Sequence, residues 1–208
     1  MRRVMMTCMA MLLGQVLAAQ TAVKTIEDGA LDRIELFLGS PDLAATPGVV
    51  IKLFDASTAD LGTGGKGGKE ERQQEARTMQ NEGPRVLAER FVSTLDKSGP
   101  FKSVRILTTD DASSNDALIV EGKFVTIDPG SRAKRYFGGF GAGKSSVKVV
   151  GEVKAPGGRT LATFEQRRIG TMGIGGGDSL GKLMSDSRSI GDDIAKFLAK
   201  WARGESLE

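Results

Sequence analysis

Between Ala117 and Ile169 the sequence keeps a period of two across three separate stretches. Leu118, Val120, Gly122 and Phe124 share one face of Ala117–Ile127, and Val147, Val149, Gly151 and Val153 share one face of Ser146–Lys154. In Thr160–Ile169, Leu161, Thr163, Glu165, Arg167 and Ile169 alternate with Ala162 and Phe164. Alternation of this kind marks half-buried strands, and Pro156-Gly157-Gly158 supplies a hairpin turn between the last two. A sheet with one apolar face must be covered by other elements, and this requirement limits the architecture more than any other feature of the chain.

Two segments with helical spacing can provide the cover. Pro84, suited to a first helical turn, opens one that places Leu87, Phe91, Val92 and Leu95 on one face before Gly99-Pro100 stops it. The second follows Asp178 or Ser179 as N-cap and aligns Ile190, Ile194, Phe197, Leu198 and Trp201. Val49–Phe54 and Phe101–Leu107 read as further short strands. The order strand, helix, four strands, helix predicts an α+β fold, a mainly antiparallel sheet of about five strands with two helices packed on one face. Residues 48–203 form this single domain, with a polar, Gly-rich insert at 60–82 in which Gly62–Gly68 is the most flexible part and Lys69–Gln80, almost without an apolar face, can form a solvated helical turn or two. Before it, residues 20–47 leave Ile34–Leu38 open between strand and short helix, and 204–208 form a tail.

The N-terminus points to export. Arg2 and Arg3 precede an uncharged run from Val4 to Ala19 that ends in small residues, the pattern of a secretory signal peptide cleaved near Ala18 or Ala19. The run includes Thr7, Cys8 and Gln15 and falls short of the ~20 apolar residues of a spanning helix, so a retained anchor is the weaker reading. Cys8 lies in the middle of the run, away from the cleavage region where a bacterial lipid anchor attaches. The expected location is the periplasm, with outer-membrane association as the alternative. No second spanning run follows.

Composition excludes much chemistry. The chain has no histidine and Cys8 is its only cysteine, so His-based triads, His proton shuttles and Cys/His metal sites are ruled out. No catalytic, cofactor-binding or metal-binding residues are expected. Two of the basic residues and no acid lie in residues 1–19, so cleavage takes the formal net charge from +3 to +1. That is no nucleic-acid footprint. Bases do cluster between Ser131 and Arg168, where nine stand against the acids Glu152 and Glu165. An anionic partner or the solvated face of an antiparallel sheet explains the clustering.

Glycine is abundant, at 28 of 208 residues, and Gly138–Ser145 spells the P-loop pattern, GGFGAGKS. A true P-loop leads into a helix whose N-terminus holds phosphate, whereas Ser146–Val153 here alternates as a strand. Nucleotide binding through Lys144 and Ser145 is therefore the lesser alternative. The same loop interleaves Tyr136 and Phe140 with Arg132, Lys134, Arg135 and Lys144, a set that can form a contact surface. Of the carboxylate pairs, Asp110-Asp111 reads as turn chemistry and Asp192-Asp193 as the solvent side of the last helix. Gly173–Asp178 before that helix reads as a loop and N-cap.

The chain resembles a family of exported bacterial proteins, domain of unknown function four-four-one-zero. The residues that carry the resemblance are Gly48–Phe54, Leu87–Phe91, Ile119–Phe124, Arg135–Gly143 with its Gly139-Phe140-Gly141-Ala142-Gly143 centre, and Gly157–Ala162. The resemblance implies an envelope protein, often lipid-anchored, with no established activity. It adds to the expectation of a non-enzymatic binding or assembly module that meets an envelope protein or an anionic envelope component through its sheet face and the Arg132–Lys144 loop.

Overall fold

The computed structural model describes residues 24–37, 43, 48–66, 69–107, 116–131, 143–170 and 178–208. The three alternating stretches are its longest strands, β5 (Ala117–Asp128), β6 (Ser146–Lys154) and β7 (Thr160–Ile169). Four shorter strands join them: β1 (Lys24–Glu27), β2 (Arg33–Leu36), β3 (Gly48–Ile51) and β4 (Ser103–Ile106). The sheet therefore has seven strands rather than about five, in the order β1-β2-β7-β6-β5-β3-β4. Ile34–Leu36 belongs to a strand: β1 and β2 form an antiparallel hairpin whose second arm pairs with β7.

The sheet is also mixed. β3 runs parallel to both β4 and β5, while the other pairs are antiparallel. A helical connection explains the first of these, because a chain that crosses over through a helix returns to the same end of the sheet. Beyond Ile51 the backbone keeps following β5 as an irregular edge: Asp55 N–H donates to the Gly122 carbonyl (3.0 Å) and Phe124 N–H to the Asp55 carbonyl (2.8 Å).

The crossover helix, α1, spans Glu70–Ser98, with Glu70 and Glu71 in its first turn. It begins fourteen residues before Pro84, which lies inside it. The early half hides a stripe of Arg72, Ala76, Met79 and Gly83, too small and too polar to read as an apolar face, which Leu87, Phe91 and Leu95 continue. Gly62–Gly64 is a short 3-10 turn rather than a loose linker, held by Thr63 Oγ1–H to Asp128 Oδ1 (2.6 Å) and Thr63 N–H to the same oxygen (3.1 Å).

The last helix, α2 (Ser179–Ala202), buries Leu183, Ile190, Ile194, Phe197, Leu198 and Trp201. Asp178 occupies its N-cap position without a side-chain cap bond. Contacts between the helices rise in step along both, from Arg72–Ser179 through Gly83–Ser187 to Arg90–Asp192, so α1 and α2 lie parallel. Gly191 lets them approach closely: a Cβ there would stand 2.4 Å from the Leu87 carbonyl oxygen.

Both helices cover the same sheet face. Directly paired Gly122 and Gly151 open space for Phe54 and Phe164, whose rings lie 6.4 Å apart. Phe164 meets Phe197 at 6.2 Å, and Phe197 stacks on Trp201 at 5.7 Å. This aromatic chain links the sheet centre to α2. Residues 204–208 fold back, with Leu207 buried and its carbonyl accepting the Ala30 N–H (2.7 Å).

Candidate binding face

The face opposite the helices is uncovered, and strand alternation decides what it carries. Outward positions hold Arg33 and Glu35 on β2, Thr163 and Glu165 on β7, Lys148, Val150, Glu152 and Lys154 on β6, and Glu121 and Lys123 on β5. Lys52, Leu53 and Asp55 form one wall as the edge segment after β3, and Arg33 and Glu35 form the other. Between the walls runs a trough of about 700 Å³, floored by Val150 and the backbone of Gly122 and Gly151.

Register sets the charges in the trough. Glu121 and Glu152 are directly paired across β5 and β6, where like charges repel. Lys154, two residues along β6, resolves the conflict by bonding Glu121 and reaching Glu152 Oε1 at 3.0 Å. Lys52 takes the other Glu121 oxygen at 2.5 Å. Thr160 Oγ1–H donates to Glu152 (2.8 Å), Lys148 pairs with Glu165 (2.7 Å), and Arg33 pairs with Glu35 (2.7 Å). The result is a lattice of alternating sign.

Burial pushes the Glu121 carboxyl upward, but the hydrogen bonds from Lys154 and Lys52 and the attraction of both ammonium groups outweigh it, so its pKa is held below the usual glutamate value. Its partner Lys154 is shifted up, chiefly by the bond to Glu121. Asp55 is lowered by the Ser57 N–H that it accepts at 2.8 Å. Held in this way, Glu121 and Asp55 stay ionised near neutral pH and make weak general bases. Among the described residues no three acidic side chains converge as a metal ligand set.

Of the contact surface expected on the glycine loop, Arg132, Lys134, Arg135, Tyr136 and Phe140 lie outside the described residues, as do Asp110-Asp111, Gly173–Gly177 and residues 1–19. Lys144 is exposed. Ser145 is fully buried and the chain leaves it as β6, so the helix that a P-loop uses to hold phosphate is replaced by a strand. Much of the basic excess after Ser131 is engaged: Lys148 and Lys154 in the lattice, and Arg168 with Asp193 (Nε to Oδ2 3.1 Å). Asp192 and Asp193 are not a solvent-facing pair. Asp193 ties α2 to β7 through Arg168 and Gln166. Asp192 ties α2 to α1 through Arg90 (2.8 and 2.9 Å) and the Thr94 hydroxyl.

The uncovered face is built almost wholly from one continuous stretch, β3 to β7. A family model described as a domain of unknown function (DUF4410) matches residues 49–173, which span that stretch. The chain belongs to the DUF4410 family. The DUF4410 segment includes α1 and most of the trough, while β1, β2 and the whole of α2 lie outside it. No curated protein matches the chain. Similar solved structures include the PelC dodecamer from Paraburkholderia phytofirmans, at 13% identity over 76% of this chain and 94% of that one, with a TM-score of 0.42. A point variant of that dodecamer gives 15% identity over 77% and 95%, with a TM-score of 0.44. A Xanthomonas campestris protein of the DUF330 family model gives 9% identity over 76% and 87%, with a TM-score of 0.44. No helix among the described residues is long and apolar enough to cross a membrane.

Proposed function

We propose that this DUF4410 protein is an exported, non-enzymatic binding module of the cell envelope whose open sheet face docks a partner protein. The observation that carries the reading is the charge lattice of the trough. Arg33, Lys52, Lys123, Lys148 and Lys154 stand against Glu35, Asp55, Glu121, Glu152 and Glu165 on one uncovered face. The signs balance, so the face does not act as a general attractor for polyanions. Its pattern instead suits a polypeptide with complementary charges, for which electrostatics selects the partner and the register. Leu53, 51% exposed beside Lys52 and Lys123, offers an apolar anchor. The basic, apolar and small-residue order of residues 1–19 supports export.

Photocrosslinking in cells tests the docking. A crosslinker placed at Leu53 or Lys123 is expected to trap one protein of defined mass, and Glu121→Lys is expected to abolish the adduct. Adducts that form equally well from the exposed turn residue Arg159, or that survive Glu121→Lys, refute the assignment. Fractionation with intact-mass analysis tests export: a periplasmic chain beginning at Ala19 or Gln20 is expected, and an uncleaved cytoplasmic chain refutes it.

A further inference from the structure

On the other side of the molecule, the C-terminal halves of the parallel helices leave a groove of about 440 Å³ between them. Its walls are two stripes. Arg90, Ser93, Thr94 and Lys97 follow one another at helical spacing on α1, and Asp192, Lys196, Ala199, Lys200 and Arg203 do so along α2 and its C-cap. Five of these residues are cations. Arg90 is committed to Asp192, and Arg203 pairs with Glu205 at 2.5 Å. Lys97, Lys196 and Lys200 make no ion pair within 4 Å among the described residues, although Lys196 attracts the Asp192 carboxylate and Lys200 that of Glu205 at longer range.

Basic residues near helix C-termini also offset the helix dipoles, and two parallel helices bring two such ends together. That requirement is small: each terminus carries about −0.5 of a charge, roughly −1 for the pair. Asp192 and Glu205 neutralise two of the five cations, and the two termini offset about one more, so the groove stays positive. The spacing of the positive charge is regular. Lys196 and Lys200 are one turn apart, about 6 Å along the axis, and alternate residues of an extended peptide are separated by about 6.6 Å.

We propose that this groove binds an extended acidic segment of a partner polypeptide, with carboxylates at alternate positions meeting Lys196, Lys200 and Lys97. The sheet face lies behind the helices on the far side, so the two assignments stand or fall separately.

The test uses the purified full chain and a fluorescein-labelled peptide of alternating Glu and Ala, read by anisotropy. Saturable binding is expected, weakening steeply between about 50 and 500 mM NaCl as the screening length shortens. Lys196→Gln with Lys200→Gln is expected to weaken binding about tenfold, and Lys97→Gln on the opposite wall to weaken it as well. The matched pair Lys102→Gln and Arg159→Gln, which removes the same charge elsewhere, is expected to leave it unchanged. Circular dichroism melts identify any variant that has lost its fold, and the Lys97 variant then carries the test. Equal weakening by the matched pair shows generic attraction and overturns the proposal. So does the absence of peptide binding, or lysine-dependent capture of phosphatidylglycerol vesicles without capture of the peptide.

Discussion

Replacing Gly151 with alanine probes whether the aromatic chain beneath the sheet is as tightly seated as the packing requires. An added Cβ would lie 2.5 Å from Phe164 Cζ, 2.9 Å from Phe164 Cε2 and 2.8 Å from the Glu121 carbonyl oxygen. The ring has little room to retreat, because Phe54 and Phe197 flank it at 6.4 and 6.2 Å. Overpacking of this kind costs about 1–3 kcal/mol. Removing a glycine from a strand returns about 0.5–1 kcal/mol. The net loss is therefore about 1–2 kcal/mol, a fall in Tm of roughly 2–8 °C for a chain of this size. Thermal melts and urea titration of Gly151→Ala, Phe164→Leu and the double variant measure it. The double variant is expected to be less destabilised than the sum of the two by about 1 kcal/mol, because leucine withdraws the two ring atoms that clash. Gly122→Ala is the internal control. Its Cβ would meet the Val150 carbonyl oxygen at 2.4 Å and Phe54 Cε2 at 2.7 Å, so shortening Phe164 does not relieve it. A Gly151→Ala protein as stable as the parent, or equal rescue of both glycine variants by Phe164→Leu, refutes the reasoning.

Three further outcomes follow from the ion pairs and the helix contact. Glu121 titrates below its ordinary value in the fold, so its contribution to stability is complete above that value and is lost as the pH falls through the lowered one. Tm measured from pH 7 to pH 3 is expected to fall more steeply for the parent than for Glu121→Gln, and superimposable acid limbs contradict the lattice. The Asp192 carboxyl is pushed up by burial, but bonds from Arg90 and Thr94 more than offset this and leave it lowered. Asp192→Asn is expected to lower Tm by about 2–5 °C and to raise hydrogen exchange in the C-terminal halves of α1 and α2, while an unchanged exchange pattern contradicts the latch. Gly191→Ala adds a methyl 2.4 Å from the Leu87 carbonyl oxygen and 3.2 Å from the Phe91 nitrogen. It is expected to lower stability by about 1–2 kcal/mol despite alanine's higher helix propensity, and a higher urea midpoint refutes the close approach.

The strands β5, β6 and β7 were legible because alternation is a property of each segment alone: Val147, Val149 and Val153 announce a buried face whatever lies beside them. The direction of β3 is not written in its apolar run, although the helix between β3 and β4 already requires a parallel return. The first half of α1 shows in the sequence only as a solvated helical turn or two over Lys69–Gln80, for a different reason. Arg72, Ala76, Met79 and Gly83 bury a stripe that is narrow because the neighbouring elements come close, as Gly64 does to Ala76 and Ser187 to Gly83. A close contact selects small residues, and small residues carry little hydrophobic signal. Asp192 and Asp193 show the same limit. They are adjacent in sequence and about 100° apart around the helix, so one reaches Arg90 on α1 and the other Arg168 on β7.

The binding face depends most on information that no single segment holds. Lys52, Glu121, Glu152 and Lys154 are ordinary outward residues of a solvated sheet until β5 and β6 are aligned. Alignment sets Glu121 against Glu152, and only then does Lys154 have two carboxylates to satisfy, while the separate register of β3 against β5 brings Lys52 to Glu121. A slip of two residues keeps every side chain on its own face and leaves the hydrophobic pattern intact. It also moves Glu152 away from Glu121 and separates the paired glycines that admit Phe54 and Phe164. The glycine pair therefore fixes the register from the buried side, and that register composes the charge lattice on the open side. Changes to Gly122 or Gly151 are accordingly expected to alter recognition at the trough even where the protein still folds.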